Sequence, residues 1–395
     1  MSEQSAQMQR ICLVATTPLP LVVFMGPHIK ALKKNYDITI VTNGDAGLDS
    51  MGSFESLLDE RVSYIKLRLV RRVSVFADLL TLIELWRLFR CNKFQIVHSI
   101  TPKAGLLAMT AGLLAGVPIR IHWLTGQVWV TRNGYRRWVL KNLDRLIVAF
   151  STHLLADSHS QNKFLTQEGV VRLNQVNVFG DGSVCGVDID RFRPNPISKS
   201  KIRIDLGIPS TAIMVLYLGR LNPDKGIPEL ATALLLAMRK CVELHFLLAG
   251  PDEGGMQSLV ARTLSSVANR VHFVGFTKEP ETFMASADFF ILPSHREGFG
   301  SSVIEAASCG IPSIASQIYG LMDAIVDGKT GLLVPVGDVA GIADAIVKLA
   351  TNPDLRLTLG RQALERVRQD FKQERLTDAL LHFYIKCLNK DYCKK

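Results

Sequence analysis

Two carboxylates eight positions apart, Glu297 and Glu305, flank a glycine-rich turn in the segment PSHREGFGSSVIEAASCG, residues 293–310. An apolar run ends at Leu292. A loop with Glu297, Gly298, Phe299 and Gly300 follows, and Ser301 and Ser302 open a helical pattern. Glycines let a backbone approach a ligand closely, and free N–H groups at a helix start attract phosphate. Carboxylates accept hydrogen bonds from hydroxyl groups, so two of them could hold a sugar and a ribose. Each also has a plainer explanation. Ser302-x-x-Glu305 reads as a capping box, in which Glu305 only closes the helix start. Glu297 reads equally as a solvated loop charge.

A second segment, GRLNPDKG at 219–226, lies between a strand and a helix. Arg220 and Lys225 stand on either side of an Asn-Pro turn, and both could point at a diphosphate, Arg with two donors. It is not a Walker loop, because no Gly-Lys-Ser/Thr has the required spacing. If the two segments face each other, cations and helix amides surround a phosphate while carboxylates surround hydroxyls. That combination describes a nucleotide-sugar pocket.

The elements that must position these residues alternate along the chain. Apolar strand-like runs fall at 10–15, 37–42, 62–66, 95–99, 118–123, 153–157 and 175–179, then at 212–218, 243–249, 270–274, 287–292, 312–316 and 331–335. Helical patterns lie between most of them, the last at 372–390. Near-continuous apolar strands mark parallel sheets covered on both faces. The fold expected is α/β, with two doubly wound Rossmann-like domains facing across a cleft. The first spans 1–195 and the second 196–395, with the last helix able to pack back on the first. The boundary is placed at 193–210, where Pro194, Pro196 and Pro209 break the pattern.

The 395 residues, 48% hydrophobic and 21% charged, suffice for two full cores and exclude a disordered or coiled-coil chain. The net charge of +10 is uneven: residues 1–195 hold 23 basic and 15 acidic side chains, and 196–395 hold 23 and 21. A basic first half suits an anionic membrane or a nucleic acid, or serves solubility alone. No nucleic-acid motif appears. Seven scattered cysteines imply reduced thiols in the cytoplasm. The apolar stretch Ile11–Met25 lacks the flanks of a leader, and no run is long enough to span a bilayer. Residues 16–27 are read as a loop. Two basic, aromatic stretches, Arg68–Arg90 (with Arg71, Arg72, Trp86, Arg87 and Phe89) and Arg132–Arg145 (with Tyr135, Arg136, Arg137, Trp138 and Lys141), are either membrane-surface helices or ordinary surface helices.

G-R-L-x-x-x-K-G followed some 70 residues later by E-G-F-G-x-x-x-x-E-A-x-x-x-G-x-P resembles the retaining glycosyltransferases of family 4, two-Rossmann-domain enzymes of the GT-B type. GVDIDRF at 186–192 is similar to the family's element near the domain junction. The stretch 98–126 resembles bacterial enzymes that extend lipid-linked O-antigen or capsule oligosaccharides. The resemblance implies a hexosyltransferase using a UDP-sugar donor and a polyprenyl-diphosphate-linked saccharide acceptor. It would work in the cytoplasm on the inner face of the cell membrane, with no metal and no cofactor. It implies that Glu297 holds donor-sugar hydroxyls and that Glu305 takes the ribose. Gly298, Phe299 and Gly300, with Ser301, Ser302 and Gly219, would support sugar and diphosphate. Arg220 and Lys225 would neutralise the leaving group, and Gly275, Phe276 and Thr277 would line the base. His122, ending a first-half strand, would match a cleft histidine, or else be a satisfied core imidazole. The first loop departs from the family, with Thr16, Thr17 and Pro18 where paired glycines are usual, so acceptor contacts fall to Gly26, His28 and Lys103. Asp188-Ile189-Asp190 imitates a metal-binding D-x-D, but a structural hydrogen bond is expected of Asp188. The rival readings are a UDP-sugar epimerase on the same fold and a non-enzymatic basic membrane-binding protein. A dinucleotide oxidoreductase is disfavoured, because the loop after Val14 lacks its glycines.

Overall fold

The computed structural model describes residues 8–44, 57–70, 74–241 and 243–392. The chain forms two compact units, Met1–Gly180 with Glu374–Lys395, and Asp181–Gln373.

The first unit runs β1 (Gln9–Val14), α1 (Pro18–Pro20), α2 (Gly26–Leu32), β2 (Tyr36–Thr42), β3 (Val62–Lys66), α3 (Val75–Asn92), β4 (Ile96–Ser99), α4 (Pro102–Ala115), β5 (Ile119–Leu124), α5 (Gly134–Phe150), β6 (His153–Ala156), α6 (His159–Gln167) and β7 (Val176–Asn177). Its seven strands lie in the order β3-β2-β1-β4-β5-β6-β7. All pair in parallel. Ile11 to Val14 of the central strand are fully buried, as parallel strands covered on both faces require.

The second unit runs α7 (Pro196–Asp205), β8 (Ile213–Leu218), α8 (Ile227–Lys240), β9 (Leu244–Ala249), α9 (Met256–Thr263), β10 (Val271–Gly275), α10 (Pro280–Ser286), β11 (Phe289–Leu292), α11 (Ser301–Ser308), β12 (Ser313–Ser316), α12 (Leu321–Ala324), β13 (Gly331–Val334), α13 (Val339–Thr351) and α14 (Pro353–Asp370). Six parallel strands take the order β10-β9-β8-β11-β12-β13. The last helix, α15 (Gln373–Tyr392), belongs almost wholly to the first unit. There its Tyr384 hydroxyl meets His98 Nδ1 at 2.6 Å and its Thr377 hydroxyl meets His28 Nδ1 at 3.1 Å.

Three expectations are corrected. Residues 181–195 belong to the second unit, not the first. Val187 N–H donates to Phe371 O at 2.7 Å, Gln373 N–H returns to Val187 O at 3.0 Å, and Phe192 is buried in the second core. The segment 193–210 does not interrupt the structure. The Asn195 side chain caps α7, and Pro196 occupies a first-turn position where its missing N–H costs nothing. Residues 16–27 are largely helical. Pro18–Pro20 make one turn and Leu21–Met25 a wider π-type turn that leads into α2. Leu21 and Met25 are buried there, which explains a stretch too apolar for a solvated loop.

Candidate donor site at the switch point of the second sheet

Strand order in the second sheet reverses between β8 and β11. Ligands of open α/β sheets sit beyond the carboxyl ends of strands at such a point. The two segments singled out in the sequence are the loops that follow these two strands, so the topology brings them together. Gly226 makes the fit possible. It has φ +69°, and a Cβ there would lie 2.0 Å from Pro293 O. Across this contact Lys225 Nζ donates to Glu297 Oε1 at 2.5 Å, and Ser294 Oγ donates to the same oxygen at 2.7 Å. His295 N–H donates to Asp224 O at 2.9 Å, and His295 Nε2 lies 3.1 Å from Glu229 Oε1. Arg296 pairs with Asp224 at 3.4 Å. Glu297 is therefore a half-buried, oriented carboxylate, not a solvated loop charge.

Arg220, in the same loop as Lys225, keeps its side chain 44% exposed, with its Nη1 2.9 Å from Glu253 Oε2. Asn222 Nδ2 donates to that oxygen at 3.1 Å, and Tyr217 OH donates to Arg220 O at 2.8 Å. Glycines again permit the approach: a Cβ on Gly250 would sit 1.8 Å from Gly219 O. Sequence reading missed Glu253 and Ser294; the strand ends they follow were the available signal.

The helix start at α11 is open. Gly300, at φ +75°, is its N-cap and no side chain caps it. Neither Ser302 nor Glu305 therefore makes the capping box, and Ser301 and Ser302 supply the first N–H groups of a helix end that favours anions. A Cβ on Gly320 would lie 2.3 Å from Gly298 O, so this turn is shaped by a second glycine. The Phe299 side chain is buried edge-on against Phe371, 5.4 Å between centroids, which anchors the turn in the core and leaves only its backbone amide for a ligand. Glu305 keeps part of its surface open. Burial of its carboxyl pushes its pKa up to about 7, opposed by the Arg191 guanidinium and reinforced by Glu281. Gly275 ends β10 at φ +73°, Phe276 is exposed, and the Thr277 hydroxyl accepts from Glu279 N–H at 3.0 Å.

Arg191, another residue missed, braces that turn. Its Nε and Nη2 donate to Glu281 Oε2 at 3.0 and 2.8 Å, and Nη2 also reaches Lys278 O at 3.3 Å. Asp188 Oδ1 accepts from the N–H groups of Asp190 and Arg191 at 3.1 and 3.0 Å, which gives the D-x-D a structural use.

The first-unit candidates fare differently. His122 is the fourth residue of β5, not its end. It is 2% exposed, its Nδ1 lies 2.8 Å from Ser99 Oγ, and burial lowers its pKa to about 3. Its ring is thus held within the first unit by Ser99. His28 is fully buried against Thr377, and Gly26 is a buried helical residue at φ −51°. Lys103 is engaged by Asp78 at 2.6 Å and by Val70 O at 2.6 Å. Arg137 and Lys141 of the second basic stretch hold Glu168 at 3.0 and 2.7 Å. Phe89 is buried, and Arg71 and Arg72 lie outside the described residues. No disulfide joins the six described cysteines, no described helix is long and apolar enough to cross a membrane, and no group of metal-ligating side chains gathers among the described residues.

Two doubly wound sheets, the second with a cation–carboxylate cradle and an open helix start at its switch point, define a glycosyltransferase of the GT-B type. Residues 28–182 match the glycosyl transferase 4-like domain and residues 198–366 match glycosyl transferases group 1. The chain belongs to the family-4 GT-B glycosyltransferases. It is 28% identical to the capsular polysaccharide biosynthesis glycosyltransferase CapM of Staphylococcus aureus, over 95% of this chain and 97% of that one. It is 25% identical to the UDP-Gal:alpha-D-GlcNAc-diphosphoundecaprenol alpha-1,3-galactosyltransferase of Escherichia coli, over 85% and 86%. Among solved structures, Anabaena HepE in complex with UDP and glucose matches with a TM-score of 0.78 at 20% identity, covering 96% of this chain and all of that one.

Proposed function

We propose that this glycosyltransferase moves a hexose or N-acetylhexosamine from a UDP-sugar to a polyprenyl-diphosphate-linked saccharide, with retention, in bacterial surface polysaccharide synthesis. It works in the cytoplasm at the inner face of the cell membrane. The observation that carries the donor half is the cradle of Lys225, Glu297 and Arg220 beside the uncapped start of α11. The names of the S. aureus and E. coli relatives support the pathway and the lipid-diphosphate acceptor, and the HepE complex supports UDP.

In this reading the sugar's C1–O bond to the diphosphate breaks as the acceptor hydroxyl oxygen bonds to C1 on the same face. The hydroxyl proton passes to the departing phosphate oxygen. Lys225, Arg220 and the amides of Ser301 and Ser302 stabilise the growing negative charge. That is the main catalytic contribution, about 3–4 kcal/mol for one such contact. Glu297 orients sugar hydroxyls, Glu305 takes the ribose, and the turn Gly275–Thr277 lines the base. Arg220 and Lys225 supply the positive charge at the diphosphate, so the reading invokes no metal. Lys103 exchanges Asp78 for acceptor phosphate. The test is transfer by the purified protein from a panel of UDP-sugars to synthetic lipid-diphosphate acceptors, with the anomeric configuration of the product read by NMR. Inversion, or transfer only to soluble acceptors, would overturn the reading.

A further inference from the structure

Helix α3 has a solvent face that a surface helix should not have. Thr81, Leu85 and Phe89 point into the first unit's core. On the opposite side Val75, Phe76, Leu79, Leu80, Ile83 and Trp86 are all exposed, Val75 by 81% and Phe76 by 75%. At 100° per residue these six positions fall on one half of the helix, with exposed Arg87 and Arg90 on the same half one turn further on. A helix apolar on both sides belongs inside a core or in contact with a nonaqueous phase. The apolar part covers about three turns, roughly 17 Å along the axis.

Two observations identify the partner. The first is charge. Arg87, Arg90 and Lys93 at the end of α3 are exposed, and Glu84 is the one exposed acid in the helix. That arrangement of apolar turns ending in arginines suits an anionic headgroup layer. The other basic helix, α5, exposes Tyr135 and Trp138, but three of its cations are engaged elsewhere: Arg137 and Lys141 hold Glu168 and lie over the Trp129 ring, and Arg145 Nε donates to Gly169 O at 3.0 Å. The second is place. α3 and α4 both connect parallel strands and so run side by side, and the Asp78–Lys103 pair joins their first turns. The apolar start of α3 thus lies at the carboxyl edge of the first sheet, the edge where open α/β sheets bind ligands.

We propose that α3 is the membrane-docking helix. It lies in the interface of an anionic bilayer with Phe76, Leu79, Leu80 and Ile83 in the acyl boundary, and holds Lys103 at the depth of a lipid-borne phosphate. This rests on the lipid-linked acceptor proposed above and adds the surface that meets the lipid.

The test is flotation of the full-length protein with vesicles of phosphatidylglycerol and phosphatidylcholine, or of phosphatidylcholine alone, at low and high salt. Binding is expected to the anionic vesicles and to weaken with salt. Phe76→Ser with Leu80→Ser should weaken it about tenfold or more, Arg87→Ala with Arg90→Ala should weaken it severalfold, and Trp138→Ser on α5 should change it less than twofold. These substitutions are at exposed positions, and a far-UV CD melt unchanged from the parent confirms that folding is intact. Parent-like vesicle binding by the Phe76/Leu80 variant overturns the proposal. So does a parent that ignores vesicles, or a parent dimer in sedimentation that the same variant converts to monomer, which would make this face a protein interface. Transfer from UDP-sugar to a short-chain, water-soluble lipid-diphosphate analogue separates the two readings. If the Phe76/Leu80 variant keeps it, the enzymatic assignment stands whatever the vesicles show; if the parent lacks it, that assignment fails while the docking result stands alone.

Discussion

Lys225 and Glu297 come from loops 72 residues apart, and their ammonium and carboxylate meet at 2.5 Å beyond the ends of two adjacent strands. Each charge holds the other in place. A donor diphosphate arriving at this point meets a cation that is already oriented, and its sugar meets an oriented carboxylate. Removing one partner leaves the other half-buried without its counter-charge. Lys225→Ala is therefore expected to lower kcat/KM by about 10²- to 10³-fold. Steady-state transfer kinetics check this, and a loss below threefold would contradict the role.

The glycines at Gly226 and Gly250 are steric requirements of the cradle. Added methyl groups would lie 2.0 and 1.8 Å from backbone carbonyl oxygens. Gly226→Ala and Gly250→Ala are each expected to destabilise the protein by about 2 kcal/mol or more and to weaken donor binding. Gly254 also has positive φ, but nothing lies within 4 Å of the methyl position, so Gly254→Ala should cost only about 1–2 kcal/mol of backbone strain. Thermal melts rank the three, and equal effects would show that strain alone matters.

Glu305 sets a pH dependence. Its pKa of about 7 means that the carboxyl takes up a proton as pH falls through neutrality. Only the carboxylate accepts two ribose hydroxyls, so UDP affinity should fall between pH 8 and pH 6, by up to about tenfold per unit at the acid end. Glu305→Gln should bind more weakly at pH 8 and lose this slope. Calorimetric titration at several pH values decides, and a parent profile as flat as the variant's would contradict it.

Arg191 touches Glu281 and Lys278 O, and its charge acts on Glu305. It positions the turn at 275–278 without lying in the path of the diphosphate. Arg191→Ala should raise the donor KM about tenfold with kcat within twofold, and Arg191→Lys should restore part of the loss. A fall in kcat at unchanged KM would place Arg191 in the chemistry itself.

Asp157 directly follows β6 with its carboxyl buried, and this burial raises its pKa to about 8 against the opposing Trp123 indole. Because the folded value lies above the ordinary one, its ionisation costs stability as pH rises from about 4 to 8. Asp157→Asn should raise Tm most at pH 8, less at pH 5, and give no gain below about pH 4. His98 and His122 act with the opposite sign. Burial lowers both to about 3, so the unfolded chain binds their protons first and stability falls as pH drops below about 6.5. Denaturant titrations across pH 4–8 separate the two effects.

Much of this was legible before any coordinates. The apolar strand runs reappear as two parallel sheets because a strand covered on both faces has no polar side to disguise it. The candidate donor residues were legible because glycines, Arg220, Lys225 and Glu297 sit in short loops directly after strands, where local sequence sets geometry, with Glu305 in the helix that follows. What was not legible depended on distant partners. The burial of His28 against Thr377 of α15 joins residues 349 positions apart, and the pairing of Val187 with Phe371 and Gln373 moved a boundary that the prolines alone misplaced. Glu253 and Arg191 escaped notice because a single charged residue in a loop carries no sign of the cation or turn it will brace.

The central claim is that the loops at 219–226 and 293–302 of the second unit grip a nucleotide diphosphate. Isothermal titration of UDP into the parent and into Arg220→Ala/Lys225→Ala tests it most directly. The account predicts saturable binding by the parent and at least a tenfold weaker affinity, about 1.4 kcal/mol, in the variant. Equal affinity in the two proteins, or a parent that does not bind UDP, would contradict it.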